Sequence, residues 1–458
     1  MDFNTSLPQL LSSSAKRIAM RISPPAERAL RQGHPWVFDQ SIIEQSHTGA
    51  PGDLAVIFDG KRRFLAIGLY DPTSAIRVRI LQAREPATIN ADWFQKKLAN
   101  AAHLRAALDE KNTNGYRLVH GENDGLPGLV LDRYADTLVL KLYTPAWIPH
   151  LKDFCDALTQ VSQATHLILR LNRSLQKQTE FLHGLTDGMM LSCLTPPSLV
   201  LFKENGLIFE ADPIHGQKTG FFLDQRENRA RVEKLSRGRS VLNVFAYTGG
   251  FSVYAARGGA KEVVSVDVSA LALEAAVRNM QHNNLTVPHE MIAEDAFEVL
   301  ARMASQKRLF DLVIIDPPMF AQSEKQIASA LSAYHKLTLL GLSVLRKGGT
   351  LVQASCSSRV DANTFFETIH QSAGEAGRRL TEIERTGHAS IIPSALKREL
   401  ISNVFLLLPC KYEVWRARNR EYNVDGDLIE SVSIRCRCTI IETREPWKRF
   451  LYLSSCSQ

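Results

Sequence analysis

Residues 241–267 read VLNVFAYTGGFSVYAARGGAKEVVSVD, and this stretch decides the fold. The apolar run Val241, Leu242, Val244, Phe245 has the character of a buried parallel strand. It breaks at Thr248-Gly249-Gly250, where glycine permits a tight turn and close backbone approach. A helical stretch follows from Phe251 to Arg257, and a second apolar run, Val263 to Val266, ends in Asp267. Strand, glycine turn, helix, strand and terminal acid make the first βαβ unit of a nucleotide-binding α/β sheet. An acid at the carboxyl end of the second strand can accept from ribose hydroxyls. The turn is not G-x-G-x-x-G, which argues against a dehydrogenase.

Working outward, residues 310–318 read FDLVIIDPP. Proline cannot continue a central strand, so Asp316 sits at the strand's carboxyl end, where ligands bind in such sheets. The next strand, Gly349 to Ala354, runs into Ser355-Cys356-Ser357. A carboxylate and a thiol therefore leave adjacent strand ends above the nucleotide site. That pairing suits methylation of a pyrimidine carbon.

A chain of 458 residues is long enough for two or three domains, and 45% hydrophobic content supplies real cores. The net charge of +7 fits a nucleic-acid partner without requiring one. No apolar run reaches membrane-span length, so no membrane partner is expected. Residues 1–15 are polar and serine-rich and read as a disordered extension, not a signal peptide. Seven cysteines at irregular spacing form no disulfide framework, and no Cys/His set has zinc spacing, so no metal is expected. A reducing cytoplasm is the expected compartment.

Three segments follow along the chain. Residues 16–86 look mostly β, with runs Leu54–Phe58, Phe64–Tyr70 and Ala75–Leu81 between turn residues. Residues 90–200 mix a helix, Ala91–Leu108, with strands such as Gly128–Leu131 and Thr137–Leu142. From 205 to 408 strands and helices alternate, which predicts a parallel sheet covered on both faces. Lys61-Arg62-Arg63 at a hairpin turn, with Arg77 and Arg79 alternating on a strand, offer a basic β surface for phosphates, or a solvated turn.

Together these motifs resemble the bacterial large-subunit ribosomal RNA methyltransferases that make 5-methylcytosine in 23S RNA. The resemblance spans roughly residues 16–388. It is carried by GHPWVF at 33–38, YRL at 116–118, GENDGLPG at 121–128, KTGFFLDQR at 218–226, residues 243–251, DPP at 316–318 and SCS at 355–357, in that order. It implies an α/β architecture: a PUA domain, a central α+β domain, and a C-terminal Rossmann-like class I methyltransferase sheet. It further implies S-adenosylmethionine as cofactor and 23S ribosomal RNA as partner, with a homodimer as a candidate assembly.

The resemblance gives the residues roles. A thiolate adding to C6 of cytosine makes C5 nucleophilic, turning one hard step into two easier ones. Cys356 takes that role, and Asp316 would bond the cytosine N3/N4 edge. Without the resemblance, Cys356 alone reads as a small buried side chain. Backbone groups of Phe245, Thr248 and Gly249 should line the methionine part of the cofactor and Asp267 the ribose. Asp295 should meet the adenine amine, although a lone Asp before a helix also reads as an N-cap. Gln225, Arg226, Asn243, Ser269, Ala296, Asp316 and Pro317 complete the implied cofactor set. Two other classes stay open: an RNA methyltransferase acting on an exocyclic amine or purine nitrogen, or a non-catalytic RNA-binding protein with a vestigial fold.

The chain departs from the family twice. Met319 follows DPP where a lysine is common. Residues 390–409 read SIIPSALKRELISNVFLLLP, where the family has D-H-P, a loop, Y-L-K and an apolar strand. Codons for 390–393 can contain GAT-CAT-CC, and codons for 400–403 can contain TAT-CTC-AAA, both in one shifted frame. The expectation is that residues after about Ala389 are read out of frame, that the apolar segment Asn403–Leu408 still takes the last strand position, and that 410–458 stays loosely packed or disordered.

Overall fold

The alternating run of strands and helices folds into one seven-stranded sheet. In chain order its strands are β1 (Ser240–Val244), β2 (Glu262–Val266), β3 (His289–Ile292), β4 (Phe310–Ile315), β5 (Leu345–Ser355), β6 (Leu380–Thr386) and β7 (Asn403–Pro409). Their spatial order is β3-β2-β1-β4-β5-β7-β6. The first five are parallel; β7 runs antiparallel between β5 and β6. The computed structural model describes residues 16–194, 197–321, 323–357 and 359–386, together with the backbone of strands 403–409, 417–422 and 428–433.

The strands are buried on both faces, which is why they read as continuous apolar runs. Successive side chains go to opposite cores. Leu242, Val264, Val313 and Ile315 pack with Val299, Leu300, Tyr334 and Phe365. These last four lie on α4 (Ala296–Ser305), α5 (Ile327–Ser343) and α6 (Ala362–Glu375). Val241, Val263, Leu312 and Ile314 pack with Val232, Val253 and Met280. Those lie on α1 (Arg226–Leu235), α2 (Gly250–Arg257) and α3 (Ala270–His282). Helices thus cover both faces, as the alternation predicts.

The second core extends upstream. Phe202 and Phe209, on the hairpin Val200–Glu204 and Leu207–Ala211, pack with Phe221 and with Tyr134 of the preceding sheet. That preceding sheet has four strands in the order His166–Leu171, Thr137–Leu142, Leu129–Tyr134, Gly115–His120. It buries helices Ala91–Arg105 and Leu151–Val161 through Phe94 and Phe154, with Trp147 of the short turn Pro145–His150 between them. The N-terminal segment is a six-stranded, mostly antiparallel sheet with its own small core around Ile18, Ile57, Tyr70 and Val78.

The helix expected over Ala91–Leu108 ends at Arg105, whose buried guanidinium reaches Asp124 at 2.7 Å and the Arg117 carbonyl, and a one-turn helix, Ala107–Glu110, follows it. The 403–408 stretch does form a strand beside β5. Residues 390–402, where the shifted motifs fall, lie outside the described residues. Within 410–458 an antiparallel pair, Ala417–Tyr422 with Leu428–Ser433, is described where no regular element was expected. Among the described residues no helix is long and apolar enough to cross a membrane, and no His, Cys, Asp or Glu grouping is arranged to hold a metal ion.

Candidate active site

The turn after β1 is the first wall of the site. Phe245, Tyr247 and Gly249 all have left-handed φ, at 62°, 48° and 74°. Non-glycine residues hold that region only where surroundings enforce it. Here the enforcement is visible: Ala246 N–H donates to Val266 O, Tyr247 N–H to Asp267 Oδ2 at 2.8 Å, and Asn279 Nδ2 to Thr248 O at 2.9 Å. A side chain at Gly249 would strike Ala276, with Cβ atoms 2.5 Å apart. Glycine is therefore needed there for packing of α2 on α3 as well as for φ.

Asp267, at the end of β2, holds its carboxylate between two backbone donors, Tyr247 N and Ser269 N. The Ser269 hydroxyl accepts from Ala272 N and caps α3, so it is committed to the helix. Asp295 is likewise an N-cap: its Oδ1 accepts from Phe297 and Glu298 at the start of α4. Ala296 is buried beneath that turn. Val268 and Leu271 beside Asp267 are 71% and 76% exposed, an apolar lip at the carboxyl end of the sheet.

The second wall is β4 and β5. Asp316 and Pro317 follow β4, and Cys356 follows β5. Cys356 Sγ points at the Pro317 carbonyl oxygen, 3.6 Å away. Its neighbours fix that direction. The Tyr334 hydroxyl of α5 bonds Ser355 Oγ at 2.8 Å and Ser357 Oγ at 3.2 Å, pinning both flanking serines inward. Burial and the negative charges of Asp316 and Asp224 push the Cys356 thiol up to about 11, against Lys218. Burial and Asp224 push Asp316 up to about 7, against Lys218, Arg229 and the Gln225 amide.

Lys218 and Asp224, inside the KTGFFLDQR stretch, also belong to this site, although no role is expected of them from the sequence. Lys218 Nζ pairs with Asp224 Oδ2 at 2.7 Å and lies 4.2 Å from the centre of the Phe222 ring. Asp224 is held well below the usual carboxylate range by Lys218 and Arg117, against the opposing cost of burial. The signal was available: polar residues punctuating an otherwise apolar Gly-Phe-Phe-Leu run. The preceding four-stranded sheet anchors this segment. Thr219 donates to Asp132 at 2.6 Å and bonds the Tyr134 hydroxyl, and Arg117 clamps Asp132.

Gln225 donates to Asp316 and so joins the acid rather than the turn after β1. Arg226 is buried and pairs with its neighbour Glu227. Asn243 is fully buried under the turn, its amide donating to Ser252.

The basic residues of the N-terminal sheet divide. Lys61, Arg62 and Arg63 are exposed on the hairpin turn. Arg77 folds onto the Asp71 and Pro72 carbonyls. Arg79 is only 7% exposed and pairs with buried Asp71. Its guanidinium is committed to the interior, so the alternating basic strand presents no continuous phosphate surface. Trp36 also turns inward, its indole donating to Glu122 at 2.9 Å.

A family model described as S-adenosylmethionine-dependent methyltransferase matches residues 117–392, and one described as a PUA-like domain matches residues 20–83. The chain is 46% identical over 384 residues to a ribosomal RNA large subunit methyltransferase of Deinococcus radiodurans, covering 82% of this chain and 94% of that one. It is 37% identical over 377 residues to ribosomal RNA large subunit methyltransferase I of Photobacterium profundum, covering 80% and 92%. The chain belongs to the ribosomal RNA large subunit methyltransferase family. Its fold is shared with a Streptococcus mutans protein assigned as a SAM-dependent methyltransferase, at TM-score 0.73 and 21% identity over 85% of this chain and 99% of that one. It is shared also with a methyltransferase complexed with SAH, at TM-score 0.74 and 22% identity over 86% and 100%.

S-adenosylmethionine is thus the family's cofactor, and the residues present fit it. Thr248 Oγ1 and Asn243 Oδ1 are buried polar atoms without a protein partner, both at the strained turn. Such atoms call for a polar occupant. Asp267 beside an apolar lip offers a charged acceptor and an adjoining surface for a flat base.

Proposed function

We propose that this chain methylates C5 of a cytosine in 23S ribosomal RNA, with Cys356 as nucleophile and Asp316 as the acid that polarises the base. The observation that carries it is the placement of the Cys356 thiol against the Pro317 carbonyl, next to an acid poised near neutrality. The names of the relatives, which act on large-subunit ribosomal RNA, supply the substrate class.

The Cys356 thiol gives up its proton to a base as its sulfur adds to C6, and the displaced electron pair moves through the ring toward N3. Neutral Asp316 donates its proton there and limits the charge that accumulates. S-adenosylmethionine, when bound, supplies the electrophilic methyl group that C5 attacks. A base then removes the C5 proton, the C5–C6 double bond reforms, the thiolate leaves and N3 returns its proton to Asp316. Asp267 would hold the ribose hydroxyls. The backbone at Phe245, Thr248 and Gly249 would line the rest of the cofactor. Asp295 keeps only Oδ2 for an adenine amine. Lys61 and Arg62 would remain as phosphate contacts of the N-terminal sheet, with Arg63 partly engaged by buried Asp59 at 2.8 Å.

An amine methyltransferase would use an aromatic after Asp-Pro-Pro to stack the base. Phe320, two residues after Pro318, packs edge-on against Tyr334 with centroids 5.2 Å apart, and loss of activity in Cys356→Ala separates the carbon chemistry from amine methylation. RNA carrying 5-fluorocytosine tests the proposal, because fluorine cannot leave as a proton. A covalent adduct on Cys356 is expected in the presence of cofactor. Active enzyme that forms no adduct, or a Cys356→Ala variant that still methylates, overturns it. Mapping 5-methylcytosine in 23S RNA from a deletion strain identifies the nucleotide.

A further inference from the structure

Asp316 is the end of a buried hydrogen-bond chain that begins at the edge of the sheet. Thr386, the last residue of β6, donates its hydroxyl to Asn228 Oδ1 at 3.0 Å. Asn228 Nδ2 donates to Gln225 Oε1 at 2.5 Å. Gln225 Nε2 donates to Asp316 Oδ2 at 3.1 Å. Gln225, Asn228 and Thr386 are 3%, 2% and 8% exposed, so water does not substitute for any link. The two amides run in one sense. Turning either one would set oxygen against oxygen or N–H against N–H in a buried place. A second clamp holds β6 to the same helix: Arg231, one turn after Asn228 on α1, grips Glu384 at 2.9 and 3.0 Å.

We propose that Thr386, Asn228 and Gln225 are positioning residues that fix Asp316 with Oδ2 as an acceptor, so that the acid's proton resides on Oδ1, the oxygen left for the substrate. The inference rests on the role of Asp316 proposed above and extends it to the antiparallel strand pair. The charged and titratable groups around Asp316 are Asp224 and Lys218 from the 217–225 segment, Arg229 from α1, Tyr334 from α5, and Cys356. Asp224 favours the protonated acid; Lys218, Arg229 and the Gln225 N–H favour the carboxylate. Losing the chain therefore raises the proton affinity of Asp316 and frees its orientation.

The test reads the Cys356 thiol, which feels the charge on Asp316. The rate of Cys356 carboxamidomethylation by iodoacetamide is followed against pH on its own peptide by mass spectrometry, without RNA. An inflection absent from Asp316→Asn marks the acid. Thr386→Val should move that inflection up by about half a pH unit or more. It should also cut methyl-transfer turnover at pH 7 by about tenfold while cofactor affinity stays level. Thr386→Ser, which keeps the donor, should restore both. Asn228→Leu breaks the middle link and should match Thr386→Val, and it carries the test if the first variant does not fold. Inflections that coincide with wild type in the folded variants overturn the relay. A shifted inflection without 5-methylcytosine in the RNA overturns the choice of nucleobase and keeps the relay.

Discussion

Cys356 Sγ lies 3.6 Å from the carbonyl oxygen of Pro317, one residue beyond Asp316. The thiol therefore touches the turn that carries the acid, and the two groups titrate in each other's field. Ionised Asp316 holds the thiol proton more tightly, and Lys218 relieves both. The acid lies near 7 and the thiol near 11, so the resting site holds the thiol protonated.

Alkylation of Cys356 in the free protein should accordingly be slow at neutral pH. It should quicken by about tenfold per pH unit towards its upper plateau, because only the thiolate reacts. Asp316→Asn should accelerate it at pH 9, where the wild-type acid is ionised, and leave it nearly unchanged at pH 5. Peptide-resolved mass spectrometry measures this. A Cys356 that alkylates as fast as exposed Cys193 at pH 7 would contradict the assignment.

Asp316 should also lower stability at alkaline pH. Its proton is held to about 7 in the folded chain, against an ordinary carboxylate value of 3.8. Between these values the unfolded chain has released the proton and the folded chain has not, so unfolding gains as pH rises. The penalty is absent below the lower value and complete above the upper one. Asp316→Asn should therefore raise the thermal midpoint at pH 8, with little gain at pH 4. An equal shift at both values would show that the acid is not strained by burial.

Much of this was legible in the sequence because parallel strands buried on both faces announce themselves as apolar runs. Val241–Val244, Val263–Val266 and Phe310–Ile315 did so, each ended by glycine, Asp or proline. The strand-end positions of Asp316, Cys356 and Asp267 were legible for the same reason: a residue at a strand end is marked by where the apolar run stops. The interior partners were not. Nothing in the local pattern says that Arg79 turns in to Asp71, or that Thr386 reaches Asn228 across 158 residues. Such pairings depend on three-dimensional packing, which periodicity does not encode. Ser269 and Asp295 illustrate the converse: both stand just past strand ends of the sheet, and both spend hydrogen bonds on capping helices.

Asp267→Ala should weaken cofactor binding. The carboxylate orders the turn through Tyr247 N and offers a charged acceptor to a ribose. A charged hydrogen bond contributes about 1.5–3 kcal/mol, so affinity should fall by about tenfold or more. Asp267→Asn should fall less, since its amide oxygen still accepts from Tyr247 N. Isothermal titration calorimetry with S-adenosylmethionine distinguishes them. Unchanged affinity in Asp267→Ala would remove the residue from the site.

Glu204 and Arg229 form the structural foundation of the KTGFFLDQR segment. They are 0% and 2% exposed and doubly bonded at 2.7 and 2.8 Å. Arg229 also donates to the Phe222 carbonyl and stacks on Phe221, and Tyr254 donates to Glu204. Removing one partner strands a buried charge, which costs about 3–5 kcal/mol. Glu204→Gln should lower stability in urea by that order, and Arg229→Met likewise. The double variant should lose less than the two losses added, because no unpaired charge remains. Since Arg229 holds the carbonyl of Phe222 two residues before Asp224, any folded single variant should also turn over slowly. Strict additivity of the two losses would show that the pair is not coupled, and that the segment is held by its aromatic packing instead.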